Sequence, residues 1–274
     1  MSDQVAPARP EGIAGRSGLW QRLRSVDGPW EVTALGVVSV LCWTTAALAP
    51  AGAWRLVPAA GGAFFFVGVA CFLYSSLSGK QAVWDDLIDQ LAMQGSEHVL
   101  DVGCGRGAVL TTAARRLTDG RAVGIDLWRQ RDQAGNSALA AWDAARAAHV
   151  AERTEFLTAD MTELPFGDAT FDVVLTSMAV HNVHPLSLRR RAIAETVRVL
   201  KPGGMLIMLD IKVRGRVRQL TSLGMCSVTS RSAGPRMWWL GPLVRTTVIT
   251  ARKSPATGHL ANAMMSQPVT ATEY

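Results

Sequence analysis

Residues 99–107 read Val-Leu-Asp-Val-Gly-Cys-Gly-Arg-Gly, and residues 122–126 read Ala-Val-Gly-Ile-Asp. The first is a short apolar run that enters a glycine-rich turn. The second is another apolar run, ending in a carboxylate about 20 residues further on. Few folds have a use for that pair. Glycines let the backbone come close to a ligand, and an acid at the end of the next strand can accept both hydroxyls of a ribose. The pairing predicts a nucleotide-like ligand at one end of a parallel sheet.

The rest of the chain supports such a sheet. Strands are expected at 97–102, 121–126, 153–158, 171–177 and 204–211, with helices at 107–117, 136–149 and 186–200 between them. This alternation predicts a doubly wound α/β domain covered by helices on both faces. Two later apolar runs, Cys226–Thr229 and Val244–Thr250, are expected to add strands at one edge, for about seven in all. Gly-Pro pairs at 234–235 and 241–242 mark turns.

Ahead of this domain the composition changes. No Asp, Glu, Lys or Arg occurs from Val32 to Trp54, and none from Leu56 to Gly79. A membrane-crossing helix needs roughly 20 such residues. Two spanning helices are expected, about 32–50 and 57–77, turning at Pro50, Gly52, Arg55 and Pro58. A signal peptide cleaved after Ala47-Leu48-Ala49 and a buried core hairpin are the alternatives. The first conflicts with the second apolar stretch that follows at once, and the second with the length and the lack of a polar face. Arg16, Arg22 and Arg24 precede the hairpin and Lys80 follows it, whereas the loop holds only Arg55. Both ends, and the catalytic domain, are therefore expected on the cytoplasmic side. The expected organisation is a flexible segment 1–31, a transmembrane hairpin 32–79, an α/β domain 80–253 and a loose tail 254–274. An amphipathic helix over Gln81–Gln94 carries Val83, Trp84, Leu87, Ile88 and Leu91 on one face.

The four cysteines, Cys42, Cys71, Cys104 and Cys226, form no C-x-x-C pair, so no zinc site or disulfide framework is expected. Net charge is +6, and no acid occurs between Ile211 and Gln267. A basic face toward anionic lipid is the reading of that stretch. Nucleic acid is not expected as a partner, because no nucleic-acid motif accompanies the charge.

Five segments in order resemble the class I S-adenosylmethionine-dependent methyltransferases, over about residues 81–253, most closely the bacterial small-molecule type. They are Asp101-Val-Gly103-Cys-Gly105-Arg-Gly107, Asp126-Leu127, Thr158-Ala159-Asp160-Met161, Leu164 to Asp172, and Arg198-Val-Leu200-Lys-Pro-Gly-Gly204. The resemblance implies a Rossmann-like fold and S-adenosylmethionine as cofactor. It implies that Asp101, Gly103, Cys104, Gly105 and Gly107 lie against the methionine moiety and that Asp126 holds the ribose. It also implies that Leu127, Asp160 and Met161 bind the adenine, and that Ser177 ends the fourth strand beside the methyl. No metal is implied.

At that strand end the sequence reads Thr176-Ser-Met-Ala-Val-His181-Asn-Val-His184, without the N-P-P-[YF] pattern of nucleobase and glutamine-amide methyltransferases. His181 is the candidate general base, as the side chain type that titrates near neutrality. The connection Trp128–Ser137 is long, so Trp128 and Asn136 are candidates to shape the pocket, with Asn136 or Ser137 as a helix cap. The expected activity is methyl transfer to a small, hydrophobic or lipid-soluble acceptor. An NAD-binding enzyme (Ala108 would replace the third fingerprint glycine) and a non-catalytic membrane adaptor are the alternatives.

Overall fold

The computed structural model describes residues 26–211 and 213–255; most of the segment 1–31 and of the tail 254–274 lies outside them. Helix α1 spans Pro29–Leu48, with proline at its first turn, where the missing N–H costs nothing. A short 3-10 turn, Ala53–Arg55, leads into α2, Leu56–Tyr74. A π-helical turn, Ser75–Gly79, then joins α2 to α3, Lys80–Asp89, so the second apolar helix and the amphipathic one are continuous. α1 and α2 pack closely through small residues. Ser39 donates to the Gly62 carbonyl (2.9 Å), and the Trp43 ring lies where a Gly62 side chain would begin. Both long helices are apolar enough to cross a membrane, and only 11% and 17% of their apolar windows are buried within the protein.

The α/β domain follows with β1 (His98–Val102), α4 (Ala108–Ala114), β2 (Arg121–Asp126), α5 (Ala138–Ala147), β3 (Thr154–Thr158) and β4 (Phe171–Ser177). Next come α6 (Leu186–Arg198), β5 (Leu200–Asp210), α7 (Arg216–Ser222), β6 (Met225–Ser232), β7 (Trp239–Pro242) and β8 (Thr247–Lys253). Seven strands form one mixed sheet in the order β3-β2-β1-β4-β5-β8-β6. β1 to β5 run parallel, and β8 pairs antiparallel with both β5 and β6. β7 stands outside this sheet.

Alternate strand residues feed two cores, as a sheet buried on both faces requires. Val99, Val173 and Leu175 join Trp84, Leu110 and Phe156 on one face. Leu100, Val102 and Val174 join Ile193, Val197 and Leu206 on the other. β5 begins earlier than its apolar run suggests, because Leu200 pairs with Phe171 across a register shift before the continuous ladder from Met205.

α3 docks at the carboxyl end of β4, and the hairpin packs on the segment around β7. α3 buries Trp84, Leu87 and Ile88, and Trp84 Nε1 donates to Ser177 Oγ at 2.8 Å. Burial of each aliphatic side chain there contributes roughly 1.5–3 kcal/mol. Phe72 meets Trp239 edge to face, with centroids 4.9 Å apart, and Ser75 donates to the Trp238 carbonyl.

Candidate active site

The glycine turn after β1 is held from below. The Gly103 and Cys104 amides both donate to the Ile125 carbonyl, at 2.9 and 3.0 Å. Gly103 and Gly105 have positive φ, and any side chain would collide, with Ala179 at the first and Gln133 at the second. The bare backbone thus forms one wall of a cavity of about 980 Å³. Asp101, Gly103, Cys104, Gly105, Asp126, Leu127, Asp160, Met161, Ser177 and His181 all line it. Gly107 does not. It starts α4 with positive φ against the Phe156 ring, which is a packing position.

Asp101 is fully buried, and among the described residues no donor meets its carboxylate oxygens at full hydrogen-bond geometry, the Leu110 amide only easing the charge. Burial, reinforced by the nearby charge of Asp126, pushes its pKa up to about 7. A buried acid whose charge is so little compensated, on a ligand-sized cavity, fits a group that brings its own positive charge. Asp126 is held at the tip of β2 by three donors. The Gly105 amide reaches Oδ2 at 2.9 Å, and the Trp128 amide and Asn136 Nδ2 reach Oδ1 at 2.6 and 3.1 Å. Trp128 takes a left-handed conformation there, and its indole N–H donates to Thr158. The long connection after β2 therefore positions Asp126, while Ser137 caps α5 by accepting from the Ala140 amide. Burial and the carboxylates of Asp101 and Asp126 push the Cys104 thiol well up, so it is an apolar wall rather than a nucleophile.

The opposite wall carries the ionisable machinery. His181 Nδ1 lies 2.6 Å from Asp210 Oδ1, and its amide donates to Oδ2 at 3.1 Å. Asp210, at the end of β5, is 1% exposed. It also receives Arg216 Nη1 at 2.7 Å and the Ile211 amide at 2.7 Å. Burial works against the charge on Asp210, but the His181 hydrogen bond and the Arg216 guanidinium outweigh it and hold the carboxyl below its usual range. Arg189 fixes the His181 carbonyl at 2.7 Å. Sequence reading found His181 but missed Asp210 and Arg216. A strand-end acid after a Gly-Gly turn was the available signal.

Arg216 drops out of the expected basic face, since it is 3% exposed and paired inside the domain, whereas Arg214, Arg218, Arg231, Arg236 and Arg245 are exposed. Arg252 pairs in register with Met205 near the amino end of the β5–β8 ladder, away from the cavity, and donates to the Gly203 carbonyl. Lys253 donates to carbonyls at the α6–β5 junction.

Comparison with known proteins agrees with this geometry. Residues 100–208 match the Methyltransferase domain family. The ubiquinone/menaquinone biosynthesis C-methyltransferase UbiE of Dinoroseobacter shibae is 34% identical over 133 residues, covering 48% of this chain and 50% of that protein. The 27-O-demethylrifamycin SV methyltransferase of Amycolatopsis mediterranei is 34% identical over 126 residues, covering 46% and 43%. The chain thus spans about half the length of the curated relatives it matches. Among solved structures, the 1,6-didemethyltoxoflavin-N1-methyltransferase of Burkholderia thailandensis, bound to S-adenosylhomocysteine, superposes with a TM-score of 0.51 at 20% identity. It covers 75% of this chain and 92% of its own. The cyclase SpnF gives 0.52 at 21%, covering 63% and 82%, and so shares the fold. Residues 100–208 thus resemble a methyltransferase domain, and the fold is Rossmann-like with a seven-stranded mixed sheet. The cofactor is S-adenosylmethionine, and the buried Asp101 and the side-chain-free backbone at Gly103 and Gly105 fit that molecule's ammonium group and extended chain.

Proposed function

We propose that this chain is a membrane-anchored methyltransferase acting on a small, hydrophobic or lipid-soluble acceptor, with its catalytic domain on the cytoplasmic side. The observation that carries the reaction is His181, held by buried Asp210 on the same cavity as the glycine turn. S-adenosylmethionine, when bound, supplies an electrophilic methyl group. Asp101 would hold its ammonium, Asp126 its ribose hydroxyls, and Leu127, Asp160 and Met161 its adenine. Because Asp210 engages Nδ1, that nitrogen carries the proton and Nε2 is left as the acceptor for a proton from the substrate. The carboxylate then stabilises the imidazolium that forms. Trp84 holds Ser177 at the strand end, which helps fix the geometry beside the reacting atoms.

The anchor rests on length and exposure. The 20 residues of α1 rise about 30 Å, the thickness of the hydrocarbon layer. A core helix would be mostly buried, whereas Val37, Val40, Leu41, Phe66 and Val67 are exposed. The full chain in lipid nanodiscs, given methyl-labelled S-adenosylmethionine and a total lipid extract, is expected to label an organic-soluble product. His181→Ala should slow this by roughly 10²–10⁴-fold while keeping S-adenosylhomocysteine affinity. Intact cofactor binding with no labelled product would overturn methyl transfer in favour of a binding protein.

A further inference from the structure

The hairpin contributes more to the site than attachment. The cavity that holds the glycine turn and His181 continues past Phe72 and onto α1, where Trp30, Glu31, Ala34, Leu35 and Val38 line it. These positions recur at helical spacing, so they form one face of the helix over about 12 Å. Across from them stand Phe72, Trp239 and Leu240. The lining is chemically mixed. Asp101, Asp126, Gln133 and Asn136 supply polar groups, the hairpin supplies Ala34, Leu35, Val38 and Phe72 with Glu31 beside them, and His181 lines the same cavity.

That apolar wall is built to stay in place. Leu240 packs so closely on Gly68 that a side chain there would collide with it. The start of α1 is tied down by Asp27, which pairs with Lys80 and accepts from Gln133 Nε2 at 2.8 Å, while its amide donates to Ser76 Oγ at 2.8 Å. Gln133 in turn accepts from the Arg106 amide in the glycine turn. A volume of about 980 Å³ stands at the upper end of the range for sites that hold one drug-sized ligand, leaving room beyond the cofactor. None of these hairpin residues falls within the residues matched to the methyltransferase family.

We infer that the Ala34–Val38 face of α1, with Phe72 and Leu240, is a tail-binding channel: the acceptor is an amphiphile whose reacting head meets His181 while its single apolar tail lies along α1. Resting on the membrane-anchored reading above, this makes the hairpin a wall of the substrate site, loaded sideways from the bilayer. A polar acceptor would gain nothing from that wall, whereas an apolar tail laid along it leaves water.

A twelve-carbon alcohol bearing a terminal diazirine tests this on the full chain in liposomes, with adducts mapped by peptide mass spectrometry. Adducts are expected on the Ala34–Val38 face and at Leu240. Ala34→Trp, which fills the channel, should reduce them at least tenfold with S-adenosylhomocysteine affinity retained as the check on folding. Val37→Trp, on a face outside the cavity, should leave them unchanged. Adducts insensitive to Ala34→Trp, or concentrated at Val37, Val40 and Leu41, would overturn the channel alone. Loss of the chain from liposomes under alkaline carbonate would overturn the anchor and the channel together.

Discussion

Asp101 is the residue whose chemistry depends most on the ligand. It keeps its proton up to about pH 7 in the folded chain, against 3.8 for an ordinary aspartate. Between those values the folded state holds a proton that the unfolded state has released. Stability of the cofactor-free protein therefore falls as pH rises from about 4 to 7, by up to about 4 kcal/mol. Asp101→Asn is expected to flatten that slope, and thermal melting across the range checks it. The same substitution should weaken S-adenosylhomocysteine binding at pH 8 by about tenfold or more, read by calorimetry, because a charge-assisted hydrogen bond is lost. Asp210 behaves oppositely, since its charge is compensated inside the fold. Asp210→Asn strands the Arg216 guanidinium and should cost about 3–5 kcal/mol in denaturant unfolding. The double variant Asp210→Asn, Arg216→Met should recover most of it. Asp126 and Asp101 were legible in the sequence because a strand, a turn and an acid sit within a few residues. The His181–Asp210–Arg216 set was not, because it exists only once β5 lies beside β4, which brings together residues 29 apart in the chain.

At the scale of elements, the strands and helices of the domain stood out as alternating apolar runs with glycine turns between them. α7 and β7 did not. Arg216–Ser222 is a short helix with two arginines in its first three residues, and it buries only Arg216, paired with Asp210, and Leu220, too few to make an apolar stripe. β7 carries no apolar alternation of its own and is held by the hairpin, as Phe72 against Trp239 shows. The join between hairpin and domain was equally hidden, because it requires backbones to touch. At Gly79 a side-chain carbon would fall 1.8 Å from the Arg236 carbonyl oxygen. Neither backbone can yield cheaply, so Gly79→Ala is expected to push the 234–246 segment off the π-helical turn. Faster amide hydrogen exchange confined to that segment and the neighbouring end of α2, with β1 to β5 still protected, is the expected signature.

On the scale of the whole molecule, one direction organises everything. The parallel strands all end on the cavity side; α3 docks at the end of β4 through Trp84, and the hairpin meets the Trp238–Trp239 segment through Phe72 and Ser75. The amino ends of the strands, where Arg252 pairs with Met205, face away. A bilayer around α1 and α2 would therefore lie over the mouth of the site, with Ala51 and Arg55 at the far surface and the domain at the near one. The proposed orientation takes its sign from the sequence, where Arg16, Arg22 and Arg24 precede the hairpin and Lys80 follows it, against Arg55 alone in the loop. In a background lacking the four native cysteines, Ala51→Cys should react with an impermeant maleimide on intact cells, and Arg252→Cys only in inverted membrane vesicles. Reaction of both from the same side would remove the spanning hairpin and leave two apolar helices covering some other surface. Reaction of each from the side opposite to that expected would keep the hairpin but put the cofactor site outside the cytoplasm, where the reading of an S-adenosylmethionine enzyme would lose its methyl donor.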